Sequence, residues 1–243
     1  MLLDQYADHI VRAIRSIQEN QRQTISQAAQ LVCRTLRQDG LIYVFGCGHS
    51  HILAEETFYR AGGLVNVAPI FYEPLMLHEG AAESSRLEKQ PGLASKVLEC
   101  YHFTEKDLFF CVSTSGINAV PVEVAQAVHD QGICTIAICS GAYKGDASRA
   151  PSGKHLWEVA DLWLDNLAPH GDATLQPQGS PVPTSPLSTI TGTFLLNTIL
   201  AEGMELALSA GASIPAYLSG NIPGGAERNK TLIAQYQPRI RHL

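Results

Sequence analysis

Short apolar runs alternate with helical segments from residue 41 to about residue 210, and this alternation constrains the fold more strongly than any other feature. The runs are too short for typical helices and are rich in residues that favour strands. Strands that alternate with helices of about 10–15 residues form right-handed βαβ units and a parallel sheet. The sequence therefore predicts an α/β fold, doubly wound, with strands at 41–45, 65–71, 108–112, 133–139 and 162–165.

Helices account for much of the remaining sequence. Apolar residues recur at helical spacing over 4–38, and a polar gap near 20–23 predicts one long N-terminal helix or two helices with a kink. Further helices are predicted from 50 to about 61 and at 93–101, 119–130, 186–210 and 226–241. The length of 243 residues suits a single domain, with an N-terminal helical segment (1–38), an α/β core (39–210) and a C-terminal turn and helix (211–243).

Composition argues against several classes of protein. The net charge of −6 disfavours general binding to nucleic acids or anionic membranes, and we expect neither as a partner. Residues 1–12 lack the apolar stretch of a signal peptide, and no segment approaches the roughly 20 apolar residues that cross a bilayer. The 6 cysteines are scattered without a CxxC pair, which is typical of reduced thiols. We therefore expect a cytoplasmic protein.

One long connection interrupts the regular alternation. Residues 168–186 contain 5 prolines and follow the last predicted strand. A connection of this length in a compact domain is usually functional or lies at an interface. We expect it to serve one of these purposes and to hold a short hairpin.

Two turns carry the chemistry of a ligand site. They lie at 46–50 after the first predicted strand and at 113–118 after the third. Ligands of open parallel sheets bind beyond the carboxyl ends of the strands. Glycines let the backbone approach a ligand closely, and hydroxyls with free N–H groups at a helix start attract anions. The two turns therefore predict a phosphate site built from amides and hydroxyls.

The turn at 113–118 has two interpretations. A single Ser, Thr or Asn at a helix start stabilises the helix by about 1 kcal/mol without any ligand. Four such residues lie within six positions in this turn, which favours binding: Ser113, Thr114, Ser115 and Asn118. The turn at 46–50 is weaker evidence on its own, because glycines also permit a plain reversal. It does not match GxGxxG, so a dinucleotide is not expected.

Together the two turns resemble those of the SIS (sugar isomerase) domain family. In that family one strand ends in Ser-x-Ser-Gly, as at 113–116, and an earlier strand ends in a glycine turn like that at 46–50. The resemblance spans roughly 5–210 and implies a five-stranded, flavodoxin-like sheet of order 2-1-3-4-5. It also implies a homodimer or homotetramer with sites at the interface, a phosphorylated sugar as ligand and no cofactor. The implied ligand residues are Gly46, Gly48, Ser50, Ser113, Thr114, Ser115 and Asn118, although Ser or Thr is commoner at the last position.

Catalysis requires further groups. Moving a carbonyl between the first two carbons of a sugar phosphate needs a base for a C–H proton and a group that stabilises the enediolate. The candidates are Glu79, Glu55, His49 and His78. Glu79 begins a Glu-Gly-Ala sequence that resembles the catalytic segment of N-acetylmuramic acid 6-phosphate etherases. Those etherases and the phosphoheptose isomerases carry a second glutamate ten residues after the serine of the first turn, where this chain has Arg60.

Histidines near the turns raise the question of a metal. His49, His51 and His78 supply suitable donor types, since two histidines and a carboxylate bind zinc in many proteins. A His-x-His pair at a turn lacks the helical i,i+4 spacing of zinc motifs, however. We therefore predict no metal site.

The sequence thus predicts a phosphosugar-binding protein. The favoured interpretation is an isomerase that acts on a phosphorylated sugar or amino sugar through an enediolate-type proton transfer. Two alternatives remain open: a non-catalytic sugar-phosphate sensor, and a lyase or etherase that acts on a 6-phosphorylated amino sugar.

Overall fold

Five parallel strands form the central sheet. The computed structural model describes residues 1–243, and the strands are β1 (Ile42–Gly46), β2 (Val67–Ile70), β3 (Leu108–Val112), β4 (Cys134–Cys139) and β5 (Leu162–Asp165). Their order is β2-β1-β3-β4-β5, and every neighbouring pair is parallel. The expected fold class and strand order are therefore confirmed. The winding direction changes between β1 and β3, which is where ligands bind in sheets of this kind.

Nine α-helices accompany the sheet. They are α1 (Leu2–Asn20), α2 (Arg22–Arg37), α3 (Ile52–Thr57), α4 (Ala81–Leu87), α5 (Ala94–Leu98), α6 (Ala119–His129), α7 (Leu156–Val159), α8 (Ser188–Ser209) and α9 (Gly225–Tyr236). The helix after the first turn is shorter than expected, because Phe58 is extended and Tyr59 has a φ of 47°. None of the helices combines the length and the apolar character needed to cross a membrane.

The N-terminal segment consists of two helices that meet at Gln21. The Gln21 side chain explains the break in physical terms. Its Nε2 donates to the carbonyl of Asp165 at 2.7 Å, and its Oε1 accepts the N–H of the same residue at 2.8 Å. This amide therefore pairs with the end of β5 and fixes the helix junction to the edge of the sheet.

The sheet buries apolar side chains on both faces. Along β1, Ile42 and Val44 join the core beneath α2 and α8, whereas Tyr43 and Phe45 join the core on the opposite face beneath α5 and α6. Strands that are buried on both faces have continuous apolar sequences instead of alternating ones. This is why the strands were recognisable as short apolar runs.

The long connection folds into the small hairpin that the sequence predicted. Its strands, β6 (Ala173–Leu175) and β7 (Thr184–Pro186), pair antiparallel. Tyr6 on α1 donates its hydroxyl proton to the carbonyl of Pro186 at 2.6 Å. This hydrogen bond ties the hairpin to the N-terminal helix.

Candidate functional site

The turns after β1 and β3 meet at the carboxyl edge of the sheet. Gly46 at the end of β1 lies opposite Val112 at the end of β3. The first turn is compact because Gly46 has no side chain. A Cβ at this position would lie 2.6 Å from the carbonyl oxygen of Ser50. A cleft of about 550 Å³ opens between the two turns (the β1–β3 cleft).

Most of the residues proposed from the sequence as ligands lie in this cleft. Gly46 supports the first turn, and the other six line the β1–β3 cleft, together with His49. The lining contributed by the two turns is Cys47, Gly48, His49, Ser50, Ser113, Thr114, Ser115 and Asn118. No Lys or Arg side chain lines the cleft. An anion bound there would therefore be held mainly by hydroxyls and backbone N–H groups.

The turn after β3 presents free backbone donors. Ser113 Oγ accepts the N–H of Gly116 at 3.3 Å, and Gly116 has a φ of 64°. Trp157 packs so closely that a Cβ at Gly116 would lie 2.9 Å from its ring. The N–H groups of Thr114 and Ser115 have no acceptor within the chain. Successive free N–H groups in a concave turn attract anions.

Asn118 stands at the start of α6 but does not cap it. Its side chain makes no hydrogen bond to the helix backbone. Instead, its Nδ2 donates to Glu88 Oε1, and its Oδ1 accepts Arg149 Nη1 at 2.6 Å. The capping interpretation therefore does not explain Asn118. An acceptor on one side and a donor on the other fix the orientation of the amide.

Glu88 is a cleft residue that the sequence did not reveal. It directly follows α4, lines the β1–β3 cleft, and its Oε2 lies 3.6 Å from the Cβ position of Gly48. Burial raises the pKa of its carboxyl group, and Lys89 and Arg149 offset part of that rise. A half-buried carboxyl with a raised pKa is suited to proton transfer. Its partner Asn118 is 30 residues away in sequence, so no local pattern distinguishes it from other glutamates.

The other catalytic candidates lie outside the cleft, apart from His49. On α3, Glu55 Oε1 lies 3.2 Å from Nε2 of the buried His51. His78 and Glu79 line a separate cleft of about 550 Å³ together with Phe71, Tyr72, Lys96, Tyr101, Arg241 and His242 (the C-terminal cleft). The rings of His51 and His78 are 6.1 Å apart. No group of three or more His, Cys, Asp or Glu side chains is placed to hold a metal ion.

A doubly wound sheet with a polar cleft at the change of winding direction defines an α/β ligand-binding protein. Comparison with known proteins makes this assignment specific. The SIS domain family matches residues 5–140. A UPF0309 protein from Geobacillus thermodenitrificans is 45% identical over 98% of this chain and 96% of its own length, and one from Caldanaerobacter subterraneus is 42% identical over 100% of both. The chain belongs to the SIS domain family, as its two glycine- and serine-containing turns suggested.

Two solved structures share the fold. A phosphoheptose isomerase from Francisella tularensis is 16% identical with a TM-score of 0.53, over 85% of this chain and 96% of that one. The sugar isomerase domain of an RpiR transcription factor from Sphaerobacter thermophilus is 16% identical with a TM-score of 0.50, over 98% of each chain. At this level of identity the likeness shows a common architecture.

Replacing Glu88 by Gln is expected to raise the melting temperature at neutral pH. The folded-state pKa of Glu88 lies above its ordinary value of 4.5, so the ionised carboxylate is less favourable in the folded protein than in the unfolded chain. The stability that Glu88 contributes when protonated is present below its ordinary pKa and is lost as the pH rises through the raised pKa. The melting temperatures of the wild type and of E88Q should therefore be equal at about pH 4, and that of E88Q should be higher at about pH 7.

Glu83→Gln on α4 is the matched control. The hydrogen bond from Arg86 lowers the pKa of Glu83, so its pH dependence has the opposite sign. E83Q should leave the melting temperature at pH 7 unchanged or slightly lower. An E88Q protein whose stability runs parallel to that of the wild type at every pH would contradict the electrostatic account of Glu88.

Proposed function

We propose that this protein binds a phosphorylated sugar in the β1–β3 cleft. The observation that carries the proposal is the convergence of two turns whose hydroxyls and backbone N–H groups line one cleft without a Lys or Arg side chain. Backbone N–H groups at such turns bind phosphate in many α/β proteins. The volume of about 550 Å³ suits a small molecule, since ligand pockets typically measure roughly 300–1,000 Å³.

Membership of the SIS domain family supports this proposal. Two of the structures that share the fold are named as a phosphoheptose isomerase and as the sugar isomerase domain of a transcription factor. The chemistry of the β1–β3 cleft and the family assignment therefore point to the same class of ligand.

Replacing both Ser113 and Ser115 by Ala is expected to abolish detectable binding of sugar phosphates. Each change removes a hydroxyl from the turn that presents free N–H groups, and hydrogen bonds to a charged partner are worth about 1.5–3 kcal/mol each. Calorimetric titration with glucose 6-phosphate, fructose 6-phosphate, glucosamine 6-phosphate and sedoheptulose 7-phosphate measures the loss. The control is the double variant Ser95→Ala with Ser209→Ala, since these serines are exposed on α5 and α8 and do not line the cleft. Equal affinities in the two double variants would refute the phosphate site.

We further propose that the bound sugar phosphate undergoes aldose–ketose isomerisation. A base removes the proton from C2 of the aldose, the C–H electron pair forms the C1–C2 double bond, and the carbonyl electrons move to O1, which takes up a proton. The O2 hydroxyl of this intermediate then loses its proton as the C2 carbonyl forms, and C1 takes up the proton that the base holds. Glu88 is the carboxyl group best placed to act as this base, because the only other carboxyl group in the lining of the β1–β3 cleft, that of Asp172, already accepts three hydrogen bonds from Leu187 and Ser188. His49 is the cleft residue suited to protonate or polarise the carbonyl oxygen. Glu79 and His78 remain candidates if the C-terminal cleft takes part in the reaction, and Glu55 remains one through its contact with His51.

Deuterium exchange at C2 of the bound sugar separates these candidates. In deuterium oxide, NMR should show loss of the C2 proton signal of an aldose phosphate, or of a C1 proton signal of a ketose phosphate, with the wild-type protein. E88Q should lower the exchange rate at least about 100-fold, which corresponds to the removal of a general base, while its affinity for the sugar phosphate stays within a few-fold. Glu79→Gln and Glu55→Gln are the comparison variants, and exchange should persist in both. Loss of exchange in either of them, with retention in E88Q, would reassign the base.

A non-catalytic sensor is the second candidate function. The sugar isomerase domain of the transcription factor aligns with 98% of this chain, and most of the catalytic candidates proposed from the sequence lie outside the β1–β3 cleft. Tight binding without any deuterium exchange would identify a sensor. A lyase or etherase would instead release the group attached to the sugar, and product analysis by NMR detects this directly.

Assembly into a homodimer or homotetramer is part of the same proposal. The N-terminal helix α1 exposes apolar side chains, with Met1, Leu3 and Val11 at 86%, 70% and 45% exposure. A second copy of the chain would cover this surface, and an interface there would lie next to the hairpin.

A cytoplasmic location is proposed from the 6 cysteines, all of which are free.

A further inference from the structure

The β6–β7 hairpin forms a wall of the β1–β3 cleft opposite the two phosphate turns. The hairpin segment and the start of α8 contribute nine residues to the lining of the cleft, and five of the nine are polar. The wall consists of Gly171, Asp172, Ala173, Pro183, Thr184, Ser185 and Pro186, followed by Ser188 and Thr189 at the start of α8. The proposed phosphate site uses none of them. Their role in the cleft therefore needs a separate explanation.

The wall is held in an unusual backbone conformation. Asp172 and Ser185 both have a φ of 65°, which side-chain-bearing residues adopt rarely. Strained residues of this kind persist where the surrounding contacts hold them, and they cluster at ligand sites. In this wall both of them line the cleft.

The carboxylate of Asp172 supplies the contacts that hold the wall. Its Oδ1 accepts the N–H groups of Leu187 and Ser188 at 3.0 and 2.8 Å, and its Oδ2 accepts the hydroxyl proton of Ser188 at 2.6 Å. These bonds satisfy free N–H groups at the start of α8, as a capping residue would. The Ser188 hydroxyl is thereby fixed as a donor to Asp172, so its oxygen remains able to accept from a ligand.

Tyr143 completes the wall from the loop that follows β4. Its Oη accepts the N–H of Gly171 at 2.8 Å, and its ring contacts that of His170 in a tilted arrangement with the ring centres 4.5 Å apart. Both contacts fix the position of the hydroxyl. The hydroxyl proton has no acceptor within the chain, and Tyr143 lines the cleft. A ligand hydroxyl or carbonyl oxygen is therefore a suitable acceptor for it.

We propose that this wall recognises the polyol part of the ligand, with Tyr143 as the specificity-determining donor and Asp172 as a positioning residue. The inference rests on the proposed function, because the phosphate turns place the other end of the same molecule. Phosphate held at the two turns leaves the carbon chain to extend towards the hairpin. The selected class is a phosphate ester of a sugar long enough to bring hydroxyl or carbonyl oxygens to Tyr143. A short phosphate ester such as glycerol 3-phosphate occupies the turns and does not reach the wall.

The test compares two tyrosines that each hold the hairpin through a hydroxyl. Tyr143→Phe removes the donor that lines the cleft, whereas Tyr6→Phe removes the hydroxyl that binds Pro186 from outside the cleft. Calorimetric titration measures Kd for glycerol 3-phosphate and for the tightest binder among glucose 6-phosphate, fructose 6-phosphate, glucosamine 6-phosphate and sedoheptulose 7-phosphate. Y143F should weaken sugar phosphate binding about tenfold, as expected for one hydrogen bond, and change glycerol 3-phosphate binding less than about twofold. Y6F should change neither.

Asp172→Asn tests the positioning role. It should lower the ratio of sugar phosphate affinity to glycerol 3-phosphate affinity without changing the latter, which a general loss of stability would not do. The inference is overturned if Y143F weakens both ligands equally, if Y143F and Y6F have the same effect, or if the wild type does not prefer any of the sugar phosphates. A wild-type protein that binds neither class of phosphate refutes the proposed function itself, and the inference with it.

Discussion

The parallel pairing of β1 with β3 is the contact on which the site depends. The two strands are separated in sequence by α3, β2, α4 and α5, yet they pair from Ile42 and Leu108 to Gly46 and Val112. Asp107, which is buried at the start of β3, accepts the N–H of Leu41 at 2.7 Å and so fixes the register at the amino end. The register at the carboxyl end follows, and with it the meeting of the two turns in one cleft. Without this pairing each turn would be an ordinary strand-to-helix reversal.

Much of the fold was predictable because it depends on local patterns and general rules. Strands buried on both faces produce continuous apolar runs, and the handedness of βαβ units leaves few ways to order them. Helix ends were less predictable. The helix after the first turn stops at Thr57 because Phe58 is extended and Tyr59 has a φ of 47°. Such an end depends on the conformation of a few residues and leaves no strong mark in the sequence.

The residues of the candidate site also fall into a predictable and an unpredictable group. The turn residues were predictable, because glycines and hydroxyls next to a strand end form a local pattern. Glu88 and Tyr143 were not predictable as cleft residues, since each reaches the cleft through contacts with distant segments. After the edge strand β2 the chain forms two short 3-10 turns. The second turn holds His78 and Glu79 and places them in the C-terminal cleft. Closeness in sequence to a strand end is therefore insufficient to place a residue in the site.

The central claim is that the β1–β3 cleft, and not the C-terminal cleft, binds a phosphosugar. Titration of the isotope-labelled protein with the tightest-binding sugar phosphate, followed by amide chemical shifts in NMR, locates the bound ligand directly. The largest shifts are expected at the amides of Gly48, Thr114 and Ser115, which line the β1–β3 cleft. Shifts centred on Lys96, Tyr101 and Arg241, with the two turns unaffected, would contradict it.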